Sequence, residues 1–191
     1  MQSIADFPQE KLSIAIAADH GGFEAKKELA AYLAGKGCSV MDCGPFAFDA
    51  ADDYSDFGCA AGRALSTGCV QAAILICRSG IGMNIAANRF HGVRSVVAED
   101  IDSVKLSRLH NASNCLTLPG DKFDVAKMKE IIDAWLGTAF SAEERHARRL
   151  VKLERQSYDD IAAVRVADPE IAGLIDKELG SDLVSDGAES G

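Results

Sequence analysis

Residues Ala72 to Ile76 form an unbroken apolar run that ends on Cys77. Arg78-Ser79-Gly80-Ile81-Gly82 follows, and a helix-compatible segment opens at Met83. A buried parallel strand that feeds a helix through a glycine-bearing turn makes an anion site. Unpaired backbone N–H groups converge there, and small residues let a ligand approach closely. A thiol at the last strand position stands on the rim of that site, so a nucleophile or base lies beside a cradle for negative charge. A phosphatase loop would need arginine six positions after the cysteine, and Met83 stands there instead. Cysteine is also often no more than a small buried hydrophobe, so other residues must decide.

Four further polar clusters are candidates for the same crevice. Asp19-His20 follows the first apolar run and could orient a hydroxyl and contact an anion; the aspartate could equally cap the next helix. His110-Asn111 closes a helical segment and could supply a general acid, although histidine is favoured at helix C-termini by the dipole alone. Asp53-Tyr54 lies on a polar loop and could be turn chemistry only. Arg145, His146, Arg148 and Arg149 form a basic knot, and arginine forks match phosphate oxygens bidentately. Against the acidic balance of the chain this knot stands out, though a solvated helix face would look similar. The first turn reads DHGGFE rather than GxGxxG, which argues against a dinucleotide site, and no HExxH or other metal-ligand spacing occurs.

The elements that must position these groups follow from periodicity. Buried or half-buried strands are predicted over 12–18, 39–43, 72–77, 93–98 and 114–118. Helices are predicted over 23–36, 56–66, from 83, 102–110 and 123–136, the last clearly amphipathic. In the 23–36 helix Phe23, Leu29 and Leu33 lie near one face, with Lys26, Lys27 and Glu28 outward. Past Leu150 the pattern weakens, with one more helix up to about residue 163. Alternating strands and helices imply an α/β fold: a doubly wound, five-stranded parallel sheet, a Rossmann-like α/β/α sandwich. Ligands bind such sheets at the strands' carboxyl ends, so Asp19-His20 and Cys77 should face one crevice.

Composition narrows the class. The chain has 191 residues, 48% hydrophobic and 26% charged, with a net charge of -9. That composition is ordinary for a globular protein with a full core. From Gln156 to Gly191 nine acidic residues face only Arg165 and Lys177, a net -7, which leaves the preceding chain near balance. No basic stripe suggests nucleic acid, and no apolar run approaches membrane-spanning length. Cys38, Cys43, Cys59, Cys69, Cys77 and Cys115 show no CxxC spacing, so a reduced, cytoplasmic protein is expected. One domain over 1–155 with an acidic extension over 156–191 is the expected organisation, with apolar residues between 161 and 179 at helical spacing and a flexible end.

The motifs DHGGFEAKKEL, LICRSGIGMNIAANRFHGVRS, LSRLHNASN, IIDAWL and RHARR occur in that order. Together they resemble the type B ribose-5-phosphate isomerase family, which includes galactose-6-phosphate isomerase subunits and erythrose-phosphate isomerases. The resemblance covers about residues 11–154. It implies an aldose–ketose isomerase of carbohydrate metabolism, working through an enediol(ate) on a phosphorylated sugar. Ribose 5-phosphate to ribulose 5-phosphate, a pentose phosphate pathway step, is the first reading; four-carbon (erythrose) or six-carbon (galactose, allose) phosphates are alternatives. A non-catalytic sugar-phosphate-binding protein is the alternative from another class. The resemblance also implies no metal or nucleotide cofactor, and a homodimer or tetramer whose active site is shared between subunits.

By position, the resemblance makes Cys77 the base that moves a proton between C1 and C2, assisted by Ser79. Arg78, Gly80, Ile81 and Gly82 belong to the anion loop. His110 opens the ring and Asn111 binds substrate; Asp19 and His20 contact the sugar and its phosphate; Arg145 and Arg149 form a phosphate clamp reaching the other subunit's site; Tyr54 and Lys122 are further substrate-binding candidates. Three features depart from the family pattern. Arg78 replaces a glycine, adding bulk and charge to the loop. Pro119-Gly120-Asp121-Lys122 replaces a stretch that often holds a phosphate-binding arginine, so that Lys122 would substitute beside a repelling Asp121. The acidic extension has no counterpart in shorter relatives. A helix N-terminus near basic groups is further expected to lower the thiol pKa.

Overall fold

The computed structural model describes residues 12–156. Five strands and six helices follow in the order β1 (Ser13–Ala18), α1 (Phe23–Gly35), β2 (Ser39–Asp42), α2 (Tyr54–Ser66), β3 (Ala72–Cys77), α3 (Ile81–Ala87), β4 (Ser95–Val97), α4 (Ile101–Asn111), β5 (Cys115–Pro119), α5 (Val125–Leu136) and α6 (Glu144–Gln156). All strand pairs are parallel, in the order β2-β1-β3-β5-β4. The sheet thus agrees with the expected doubly wound class. Its order reverses between β1 and β3, and at such a switch point the crossovers leave on opposite faces and a crevice opens.

Side chains alternate across the strands, and two cores result. Ile14, Ile16, Ile74, Ile76, Leu116 and Leu118 pack on one face with Leu29, Leu33, Val104, Met128, Ile131 and Trp135 from α1, α4 and α5. Ala15, Ala17, Ala73, Leu75, Cys77 and Cys115 pack on the other face with Ala61, Leu65, Met83 and Ala87 from α2 and α3. The small residues on this second face let α2 and α3 lie close to the sheet. They set Cys77 directly under the start of α3.

Most predicted elements hold to within two residues. The fourth strand is shorter than expected, three residues, and α4 begins at Ile101 because Asp100 caps it through a reciprocal box with Ser103. The basic knot lies inside α6, which starts at Glu144 rather than after Leu150. The chain divides into a unit Met1–Arg148 and a unit Arg149–Gly191. Of the second, residues 149–156 are described, so the expected helix between 161 and 179 and the flexible end fall outside the described residues.

Lys26 corrects the expectation of an outward side chain. It is 2% exposed, and its ammonium donates to both Asp42 oxygens, at 2.6 and 2.8 Å, and to the Pro45 carbonyl at 2.7 Å. Spacing alone could not show this, because its partners, Asp42 at the end of β2 and Pro45 in the loop that follows, are brought over α1 only by the fold. That loop carries Tyr54's neighbours into the crevice. Lys26→Met keeps the apolar stem but leaves the Pro45 carbonyl without its buried donor. The expected result in denaturant unfolding is a loss of ~1–3 kcal/mol.

Candidate active site

Cys77 ends β3, level with Pro119 of β5, and is 4% exposed. The chain turns sharply after it, and Gly80 adopts φ 78°, a left-handed conformation that suits glycine. This turn brings the Gly80 N–H onto the Cys77 sulfur at 3.1 Å, while the Ile81 N–H donates to Ser79 Oγ at 3.3 Å. Burial pushes the thiol above its ordinary pKa and Asp19 adds to this; the N–H groups of Met83, Gly80 and Ser79 only partly oppose it. The expectation of a lowered thiol pKa is therefore corrected. Burial is the leading influence on the thiol, and low-dielectric surroundings disfavour its charged form.

Asp19 and His20 leave β1 beside this turn. Asp19 is 6% exposed, its carboxyl pKa raised by burial, and its Oδ1 accepts the Gly21 N–H at 2.9 Å. It does not cap α1, whose N-cap is Gly22. The Tyr54 ring lies against Gly82, where a Cβ would come within 2.7 Å of it. Glycine at that position is what lets the start of α2 pack on the anion loop. Ile81 is exposed at the mouth of the crevice.

Arg78 does not fill the loop. Its side chain runs out over Gly21, where any side chain would collide with it, and Nε pairs with Asp121 Oδ2 at 3.2 Å. Two departures from the family pattern are therefore partners: Asp121, expected to repel an anion, is engaged by Arg78. Lys122 sits at the same edge, its Nζ donating to the Glu99 carbonyl at 2.7 Å.

His110 and Asn111 are not in this crevice. They end α4, and the following turn feeds β5 at Cys115, whereas Cys77 lies level with the other end of β5. The two sites are separated by about the strand's length, ~13 Å. A helix running back from the carboxyl edge of a parallel sheet must finish at the opposite edge, which is the physical reason for the correction. The turn there is held rigidly. Arg108, 1% exposed, donates to the Thr138 carbonyl at 3.1 Å and to the Ser113 carbonyl, and Trp135 Nε1 donates to Ser113 Oγ at 2.8 Å. His146 packs against His110 with ring centroids 4.4 Å apart and the rings tilted by 47°, and its Nδ1 meets Ser141 Oγ at 3.0 Å. Arg145 is exposed and pairs with Glu143 at 2.9 Å. Arg149 follows one turn later on α6 and is exposed.

The candidate residues thus fall into two groups on one chain. Asp19, His20, Tyr54, Cys77, Arg78, Ser79, Gly80, Ile81, Gly82 and Lys122 line the carboxyl edge of the sheet; His110, Asn111 and Arg145 gather at the opposite edge. Asp52, which binds His20, was not among the expected residues. Its only trace in the sequence is the acidic pair Asp52-Asp53 ahead of Tyr54. Among the described residues no cluster of His, Cys, Asp and Glu could hold a metal ion, and no helix is long and apolar enough to cross a membrane.

A parallel α/β sandwich with a cysteine and an amide-lined turn at its switch point defines a small-molecule enzyme of the doubly wound class. Residues 14–153 match the family described as Ribose/Galactose Isomerase, and the chain belongs to that family. It is 38% identical over 137 residues to ribose-5-phosphate isomerase B of Escherichia coli, covering 72% of this chain and 91% of that protein. It is similar in structure to the Clostridium thermocellum ribose-5-phosphate isomerase B, with a TM-score of 0.74 and 34% identity over 78% of this chain and 99% of the other. It is likewise similar to the Mycoplasma genitalium ribose-5-phosphate isomerase B with bound ribulose-5-phosphate, with a TM-score of 0.73 and 33% identity over 76% and 96% of the two chains.

Proposed function

We propose that this chain is an aldose–ketose isomerase that interconverts ribose 5-phosphate and ribulose 5-phosphate through an enediolate. The observation that carries the reading is Cys77 at the β1/β3 switch point, with the Gly80 N–H on its sulfur and Asp19 alongside, in a member of the ribose/galactose isomerase family. In this reading the Cys77 thiolate takes the C2 proton of the open-chain aldose and returns it to C1. The amides of the Ser79–Gly82 turn meet the charge that develops on the enediolate oxygen, where preorganised donors have the largest effect. Because burial favours the neutral thiol, turnover rises with pH as the thiolate fraction grows.

The half-site at the opposite edge supplies what this crevice lacks. A second copy of the chain brings His110 as the acid that opens the ring, Asn111 as a hydroxyl partner, and Arg145 and Arg149 as a phosphate clamp. His20 and Lys122 complete the clamp from the first copy. The support is geometric: no acid from the chain's own α4 reaches Cys77, and each edge carries what the other needs. A two-fold dimer is the simplest assembly in which both half-sites are used twice. The site needs no metal or cofactor, and six free thiols suit a reducing, cytoplasmic setting. In this reading residues 1–155 form the isomerase domain and the acidic residues 156–191 an extension of it.

Steady-state kcat/KM on four-, five- and six-carbon aldose phosphates tests the substrate. Ribose 5-phosphate is expected to give the highest value. A four- or six-carbon phosphate that exceeds it by an order of magnitude or more would reassign the sugar.

A further inference from the structure

Asp52 lies on the loop between β2 and α2 and has no place in the proton transfer. Its side chain is 7% exposed, and a single oxygen, Oδ1, accepts both the His20 backbone N–H at 3.0 Å and the His20 ring at Nδ1, 2.7 Å away. The other oxygen, Oδ2, is buried with no hydrogen-bond partner among the described residues. A buried carboxylate with one oxygen unsatisfied is an unfavourable arrangement, since that oxygen has lost its water and gained no donor in return. Asparagine could make the same two contacts as an acceptor without burying a charge. The charge therefore has a purpose, and among the described residues the ion pair it makes is with the His20 imidazole.

A carboxylate only accepts, so Nδ1 carries a proton and Nε2 is the ring nitrogen left for a ligand. The charged groups facing the ring are Asp52 from the β2–α2 loop, Asp19 from its own turn, and Arg78 from the anion loop. Hydrogen bonding to Asp52 is the largest influence, and the His20 pKa is raised despite Arg78 and partial burial. We propose that Asp52 is a positioning residue that clamps His20 through Nδ1 and keeps it an imidazolium, so that Nε2–H serves as a fixed cationic donor to the substrate's phosphate. This rests on the reading of the crevice as a sugar-phosphate site. Asp52 does not touch the substrate; it acts through His20.

The sign of the effect is fixed. A histidine whose folded pKa is raised keeps its charge to higher pH and loses it as the pH passes that raised value. Removing the Asp52 charge moves the loss to lower pH. In the full chain, an NMR titration of the imidazole signals, with His20 assigned through His20→Gln, should give a wild-type midpoint above the ordinary ~6.5. Asp52→Asn should lower that midpoint, because the hydrogen bond from the charged carboxylate is the largest influence raising it. With ribose 5-phosphate, KM in Asp52→Asn should rise about tenfold at pH 8 and converge with wild type near pH 5.5, with kcat within about twofold throughout. A KM increase equal at every pH, or a matching fall in kcat, would overturn the proposal in favour of a structural role.

If Asp52→Asn does not fold, the wild-type titration decides alone: a His20 midpoint at or below the ordinary value overturns the proposal. If the wild-type chain turns over no sugar phosphate, the isomerase reading fails, and the clamp is still tested by the same titration with inorganic phosphate. Bound phosphate should then raise the His20 midpoint further in wild type, and no shift would refute the phosphate-donor role.

Discussion

Cys77→Ala abolishes nearly all turnover and leaves the protein folded. The side chain is small, so its loss opens little space in the core beside Ala17 and Leu75. Its removal takes away the group proposed to carry a proton between adjacent substrate carbons. A positioned general base contributes about 10²–10⁴-fold, and kcat should fall by that range with KM little changed. Ketose formation is the readout, with thermal unfolding as the control for fold. Turnover within about tenfold of wild type would remove Cys77 from the chemistry.

Mixing two inactive chains restores activity. Cys77→Ala removes the proposed base from one half-site, and His110→Ala removes the proposed acid from the other. In a two-fold dimer whose sites are shared, a heterodimer carries one doubly broken site and one intact site. Random exchange of subunits then yields about a quarter of wild-type activity, against parents each depressed by orders of magnitude. The expectation follows from the separation of α4's end from Cys77 by the length of β5. A mixture no more active than its parents, when subunit exchange has been verified by mass, would mean that His110 serves no site across the interface.

The sequence carried most of the architecture and one half of the site. Apolar runs at 12–18 and 72–77 are long, uniform and bounded by glycine turns, so β1, β3 and the crevice between them were legible. The Cys77 turn was legible because its residue types have few other uses together. The position of His110 was not, because spacing along the chain says nothing about which edge of the sheet a helix reaches; only the parallel connection decides that. Lys26 and Asp52 were hidden for a related reason. Both are charged residues in ordinary surface patterns, and their burial depends on a loop that folds back over α1 and β1. Arg78 and Asp121 looked like separate departures, and only the closeness of the two turns makes them a pair. The raised thiol pKa leaves no trace along the chain because burial, which outweighs the turn's amides, is a property of the packed second core.

Incubation of the full chain with ribose 5-phosphate in D2O, followed by NMR, tests the central claim most directly. The account predicts that ribulose 5-phosphate accumulates towards equilibrium from the aldose and is consumed when the ketose is supplied. Solvent deuterium should appear at C1 of the ketose, because the Cys77 thiol that carries the proton exchanges with solvent, and Cys77→Ala should show neither conversion nor label. A folded wild-type chain that leaves both sugar phosphates unchanged and unlabelled would contradict it.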